Sequence, residues 1–260
     1  MALELTEHKN ILVKILKDVF TDKDIAPYLG FKGGTAAYLF YELNRASLDL
    51  DFDLLDEKQA DNVFKKIKEV VQQYGNLKDI QKKRYSLFLL LSYKKDSPSI
   101  KIEINLRQFG SEYEVKSYLG ISMKVMIRQD MFAHKLMAMY ERMGKANRDI
   151  FDVNFFLQKN WPFNKAIVEK RSKMTFRNFL KHCIELLEKL PEKGILSGMG
   201  ELLDERPEQA RPPTLGDLVR AELLQTAASL CLCEAAFRCD QPPEHLLPRE
   251  LVNLHGQASE

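Results

Sequence analysis

The 260-residue chain predicts an α+β fold, with a mixed sheet and its helices to about residue 127 and an all-helical half after it. Three observations carry this. Residues 48–55 alternate apolar and acidic side chains with the two-residue period of a strand. Two strand-like runs, 85–93 (YSLFLLLSY) and 99–107 (SIKIEINLR), flank the turn-forming DSPS and predict a hairpin. From residue 128 onward apolar residues recur at helical spacing almost throughout.

Each element has its own signal. Leu5, Ile11, Leu12, Ile15, Leu16 and Val19 predict a helix over residues 3–20. Residues 22–30, with Pro27 at their middle, read as a connection. A short helix over 35–43 follows the Gly33-Gly34 turn. Val63, Phe64, Ile67, Val70 and Val71 form one stripe of a helix over 57–74. Residues 112–127 form a less regular strand region. Helices are expected at 131–142 and 148–158, one or two more within 163–190, and a last at 195–204. There are no internal repeats.

Composition narrows the class. Apolar residues make up 45% and charged residues 29%, the balance of a folded, soluble chain. No run of 18 apolar residues exists, so no membrane span is expected. The first helix carries Glu4, Glu7 and Asp18, unlike a signal peptide, and a cytoplasmic location is expected. Four cysteines do not make a disulfide framework. Cys231, Cys233 and Cys239 lack a fourth ligand at zinc spacing. Residues 1–205 hold all 26 lysines and 8 of the 13 arginines against 29 acids, whereas residues 206–260 hold no lysine, 5 arginines and 8 acids. Six of the ten prolines also fall in that tail, which differs in composition from the body and has no assigned role.

The strand at 48–55 is the chemically loaded one. Asp49, Asp51 and Asp53 share a face, with Leu48, Leu50, Phe52 and Leu54 on the other. Carboxylates this close raise each other's pKa unless a cation lies between them. Magnesium suits one or two such carboxylates together with substrate phosphates. A plainer reading stays open, in which the aspartates of an edge strand face water or block edge pairing. Upstream, a Gly-Gly-Thr turn opening a helix offers backbone N–H groups and room for a phosphate. Glu103 in SIKIEINLR, on the same strand face as Lys101, supplies a third acid that can ligate metal or accept a proton.

The ordered set G-G-T (33–35), R-x-S-x-D-x-D-F (45–52), K-x-E (101–103), H-K-L (134–136) and R-D-I-F-D-V (148–153) resembles the AbiEii toxin family. These are nucleotidyltransferase-like toxins of type IV toxin–antitoxin and phage-defence systems, related in fold to the DNA polymerase β superfamily. The resemblance covers roughly residues 10–205. It implies a minimal nucleotidyltransferase core over 1–127, a helical domain over 128–205, and the unmatched tail 206–260. It further implies an NTP substrate, Mg2+, a cognate antitoxin, and an acceptor for which a tRNA 3′ end is the first candidate and a protein hydroxyl the alternative.

Carried over by position, Gly33, Gly34 and Thr35 would hold the triphosphate, with Arg45 and Ser47 beside it. Asp49, Asp51 and Glu103 would form the metal and catalytic set. Lys135 would meet NTP phosphates, and Asp149 and Asp152 would form the last motif. Asp53 has no assigned role and is expected to face solvent. Each position has a structural alternative: Arg45 can close a helix, Lys135 can be solvated, and Asp149 and Asp152 can favour a helix N-terminus. Met131, Lys135, Ala138 and Arg142 form one helical stripe whose two cations can face phosphates. His134 reads as packing or surface. Lys65, Lys66, Lys68, Lys82, Lys83 and Arg84 read as solvated faces, without the interleaved aromatics of an RNA surface. Two other functions stay open: a GTP-binding protein without transfer activity, and a helical interaction protein with decorative acids.

Overall fold

A computed structural model describes residues 2–95 and 97–190, together with Val219. The helix expected at 195–204 and the cysteine-bearing tail lie outside the described residues. The chain begins with helix α1 (Ala2–Thr21), then β1 (Leu29–Lys32), α2 (Gly33–Phe40), β2 (Asp49–Leu54) and α3 (Ala60–Gln72). Five strands follow: β3 (Asn76–Lys82), β4 (Ser86–Ser92), β5 (Ile100–Asn105), β6 (Tyr113–Tyr118) and β7 (Ile121–Met126). Helices α4 (Arg128–Arg142), α5 (Asn147–Gln158), α6 (Lys165–Ser172) and α7 (Phe176–Glu188) complete the described residues.

The strands form one seven-stranded mixed sheet in the order β3-β4-β5-β2-β1-β7-β6. β4 and β5 pair antiparallel as the predicted hairpin, while β2 pairs parallel with β5. Two strands depart from the sequence reading. β1 occupies part of the expected connection: Leu29, Gly30 and Phe31 are buried between β2 and β7, so neighbours rather than an alternating pattern hold it. β3 is a polar edge strand, exposed at most of its positions, and shows no apolar alternation to detect.

Leu50, Phe52 and Leu54 of β2, Leu87, Leu89 and Leu91 of β4, and Ile100, Ile102 and Ile104 of β5 are all buried on one sheet face. α1 and α3 pack there through Ile15, Leu16, Val19, Val63 and Ile67. Phe20, Phe31 and Phe52 form an aromatic cluster at the centre, with Phe31 and Phe52 ring centroids 5.5 Å apart. The helices after residue 127 extend the same apolar core. Phe156 stacks on Trp161 at 4.3 Å and Phe163 on Phe176 at 4.8 Å. Two of these helices have side-chain caps, Asn164 on α6 and Thr175 on α7.

Candidate active site

β2 and β5 set Asp49 beside Lys101, Asp51 beside Glu103 and Asp53 beside Asn105, placing six polar side chains on the face opposite the core. On the other edge of β2, antiparallel β1 brings Lys32 opposite Asp51 and Gly30 opposite Asp53. α2 starts at Gly33. Its N-cap, Lys32, supplies no side-chain hydrogen bond, so first-turn N–H groups are available to an anion. Gly33 has φ +81°, and a Cβ there would overlap the Asp51 carboxylate. The diglycine bend is packed against the second aspartate.

A cavity of about 300 Å³ opens beside this bend. Four of the predicted site residues, Gly33, Asp51, Glu103 and Lys135, line it. Met131, Ala138 and Arg142 line it as well, so the whole predicted α4 stripe runs along one wall. Gly34, Thr35, Arg45, Ser47, Asp49, Asp149 and Asp152 do not line it. Thr35 is buried, and its hydroxyl donates to the Asp49 carbonyl oxygen, which ties α2 to β2. A Cβ on Gly34 would stand 2.8 Å from Ser47 Oγ and 3.1 Å from Arg45 Nη2, so the second glycine admits those two side chains. Arg148 Nη2 lies 3.7 Å from the Asp49 carboxylate.

Asp149 and Asp152 on α5 are fully buried rather than turned toward a cleft. Arg45 Nε and Nη2 donate to the two Asp152 oxygens at 2.5 and 2.6 Å, and Lys135 Nζ lies 2.6 Å from Asp152. Burial pushes the Asp152 carboxyl up, but Lys135 and Arg45 overcome it and hold the group below its ordinary range. Asp149 meets Arg142 at 2.8 Å and Lys135 at 3.5 Å. The last motif therefore holds the two cations of the α4 stripe from behind.

Asp51 behaves differently. Loss of water raises its pKa; Lys101 opposes the rise, Asp49 adds to it, and Lys32 and Lys135 oppose it further. Glu103 sits 2.6 Å from Lys101 Nζ. Burial would raise the Glu103 carboxyl, but the Lys101 hydrogen bond and charge, with Ser86 and Lys83, hold it low. Among the described residues no three acid, imidazole or thiol side chains converge to hold a metal as they stand. Asp49, Asp51 and Glu103 share a face, but Glu103 is turned to Lys101.

Asp53 is not solvent-facing. It is 5% exposed, with Lys32 Nζ at 2.5 Å, Asn105 Nδ2 at 2.6 Å and the Tyr113 hydroxyl at 2.5 Å. Burial raises its carboxyl, but Lys32 and Tyr113 outweigh that and hold it low. Gly30 leaves the space that the Tyr113 ring fills. His134 also belongs to the site's framework: it bonds Ser111 Oγ and Arg171 Nη1, both at 2.7 Å. Burial, helped by Lys32, drops its pKa to about 3. Sequence spacing did not reveal Lys32, Tyr85, Asn105, Arg107, Phe109 or Arg171 as cavity residues. Tyr85 had a signal, since it directly follows the basic run Lys82-Lys83-Arg84.

Sheet, glycine bend and acidic strand together define a nucleotidyltransferase-like α+β protein. The model of the nucleotidyl transferase AbiEii toxin family, of type IV toxin–antitoxin systems, matches residues 14–229, and the chain belongs to that family of nucleotidyltransferases. Among solved structures it is similar to JHP933 from Helicobacter pylori, with a TM-score of 0.54 at 19% identity over 90% of this chain and 97% of that one. A second Helicobacter pylori protein, assigned provisionally to the nucleotidyltransferases, gives 0.53 at 20% identity over 91% and 98%. At such identities the likeness speaks for the fold. No curated protein matches the chain.

Proposed function

We propose that the chain transfers a nucleotide from a nucleoside triphosphate to an acceptor hydroxyl at an RNA 3′ end, releasing pyrophosphate, tRNA being the first acceptor to test, with Mg2+ as cofactor. One observation carries the reading: the N-terminus of α2, the Asp51 carboxylate and Lys135 bound a single cavity. The backbone N–H at Gly33, with the Lys135 ammonium, would bind the β and γ phosphates. Arg142 adds a second cation on the same wall.

Asp49 and Asp51 suit the divalent ion. Asp51 is a desolvated carboxylate beside another, and a cation relieves the repulsion that raises its pKa. When bound, the ion supplies charge neutralisation at the attacked phosphorus and its leaving oxygen. Glu103 would accept the proton of the attacking hydroxyl, parting from Lys101 as the acceptor enters. Arg45, Asp152 and Asp149 hold Lys135 and Arg142 in place rather than touching the substrate. Membership of a type IV toxin family supports a cognate antitoxin as the protein partner.

The test is incubation with each labelled NTP, Mg2+ and total tRNA. Label should enter the RNA with one or more nucleotides, should vanish with a chelator, and should fall by about 100-fold or more for Asp51→Ala. NTP binding with no incorporation into any acceptor would favour a nucleotide binder instead.

A further inference from the structure

The cavity does not end at the triphosphate region. Tyr85 and Arg107 line it, and both also line a second hollow of about 320 Å³ on the outer side, walled by Leu54, Ala60, Leu106, Arg84 and one acid, Glu57. Tyr85 is 49% exposed, an unusual state for an aromatic ring standing between two hollows. Two arginines lie over it: the Arg84 guanidinium is 5.0 Å from the ring centroid and that of Arg107 5.6 Å. Arg107 also lies 5.4 Å from the Phe109 ring inside the cavity. The basic run Lys82-Lys83-Arg84 therefore ends in an aromatic, the element missing from its reading as a solvated face. Lys82 is taken up by Asp61 and Lys83 lies over the Phe88 ring, whereas Arg84 stays with Tyr85.

We propose that Tyr85, with Arg84 and Arg107 over its ring, is the stacking platform for the acceptor, a single-stranded RNA end that crosses the outer hollow and enters the cavity over this ring. The assignment rests on the transfer reading above, which makes the acceptor RNA. A base stacks on the half-exposed ring by displacing one of the guanidinium groups that lie over it, and the displaced arginine then meets the adjoining phosphates. That pairing suits a strand of variable sequence better than an acidic peptide, which has no base to stack. The path also delivers the end of the strand to the right place: Ser86, next to Tyr85, and Glu103 line the cavity immediately beyond the ring. A terminal hydroxyl arriving there meets the carboxylate assigned to take its proton.

Binding is measured by fluorescence anisotropy with a labelled oligoribonucleotide of about eight nucleotides, without NTP, on the full chain and on Tyr85→Ala, Tyr85→Phe and Arg107→Ala. NTP affinity is measured separately on the same proteins, and thermal melting checks that each is folded. Tyr85→Ala should weaken oligoribonucleotide binding by about fivefold or more, Tyr85→Phe should retain it, and NTP affinity should be unchanged in both. Arg107→Ala should weaken the binding and flatten its salt dependence. Wild-type affinity in Tyr85→Ala, or no binding by the full chain, would overturn the assignment. Loss of NTP binding rather than RNA binding would instead give the ring to the incoming nucleotide. If no label is ever transferred yet RNA binding depends on Tyr85, the platform stands and the transfer reading falls.

Discussion

Gly33 and Asp51 touch, and each restricts what the other position can be. The +81° φ of Gly33 disfavours any other residue, and the absence of a side chain leaves room for the Asp51 carboxylate. Gly33→Ala therefore strains the backbone and displaces a carboxylate together. A loss of about 1–3 kcal/mol in urea unfolding is expected, with transfer activity lost even at temperatures where the variant is folded. Asp51 should show the opposite stability effect. Its raised pKa means that folding disfavours the charged form, so Asp51→Asn should stabilise the metal-free protein, by about 1 kcal/mol, while abolishing transfer. Equal or lower stability of that variant in chelator would show that Asp51 is not the strained carboxylate described above. Asp53, two residues away, is the reverse case. Its strand position is legible in the sequence, but its burial is not, because Lys32, Asn105 and Tyr113 come from three other segments.

At the scale of elements, α5 is locked to the segment preceding β2 by a buried ion pair. Arg45 is 3% exposed, and its two bonds to Asp152 join residues 107 apart in sequence. Removing one partner leaves the other charged and buried, so Arg45→Met should cost about 3–5 kcal/mol in denaturant unfolding. Arg45→Lys, lacking the planar fork, should recover only part of that. A near-neutral Arg45→Met would mean that Lys135 alone satisfies Asp152. Elements with their own periodicity, such as α1, α3 and the β4–β5 hairpin, are legible in the sequence because their apolar faces repeat. β1 and β3 are not: the first is four residues long, and the second is a polar edge. The same limit applies to the site. The order of motifs predicted which residues matter, whereas the division between cavity-lining Lys135 and buried Asp152 depends on how α4 packs against α5.

For the whole molecule, buried titratable groups lie where the sheet meets the later helices, so acid should loosen the fold in two stages of the same sign. His134 comes first. Its pKa falls from the ordinary 6.5 to about 3 on folding, so its contribution is complete above 6.5 and is lost as pH falls, when the unfolded chain takes up a proton that the folded one refuses. His8, lowered by burial, adds in the same direction. Each such group contributes a slope of up to about 1.4 kcal/mol per pH unit. The carboxylates come second. Asp53, Asp152 and Glu103 all have lowered values, so their stabilisation is full above the ordinary 3.8 for Asp and 4.5 for Glu and is lost below them. Asp51 runs the other way, gaining from protonation, but Glu114, also held low, joins the other three against it. Urea unfolding of the metal-free chain should therefore show stability falling from about pH 6.5 downward and steepening below about pH 4.5. His134→Gln, which keeps hydrogen-bonding capacity toward Ser111 and Arg171 without a titrating ring, should flatten the first stage to the share left by His8. An unchanged slope in that variant would place the first stage elsewhere, and a flat profile in the wild type from pH 6.5 to 5 would mean that the His134 ring takes up its proton in the folded protein as readily as in the unfolded chain.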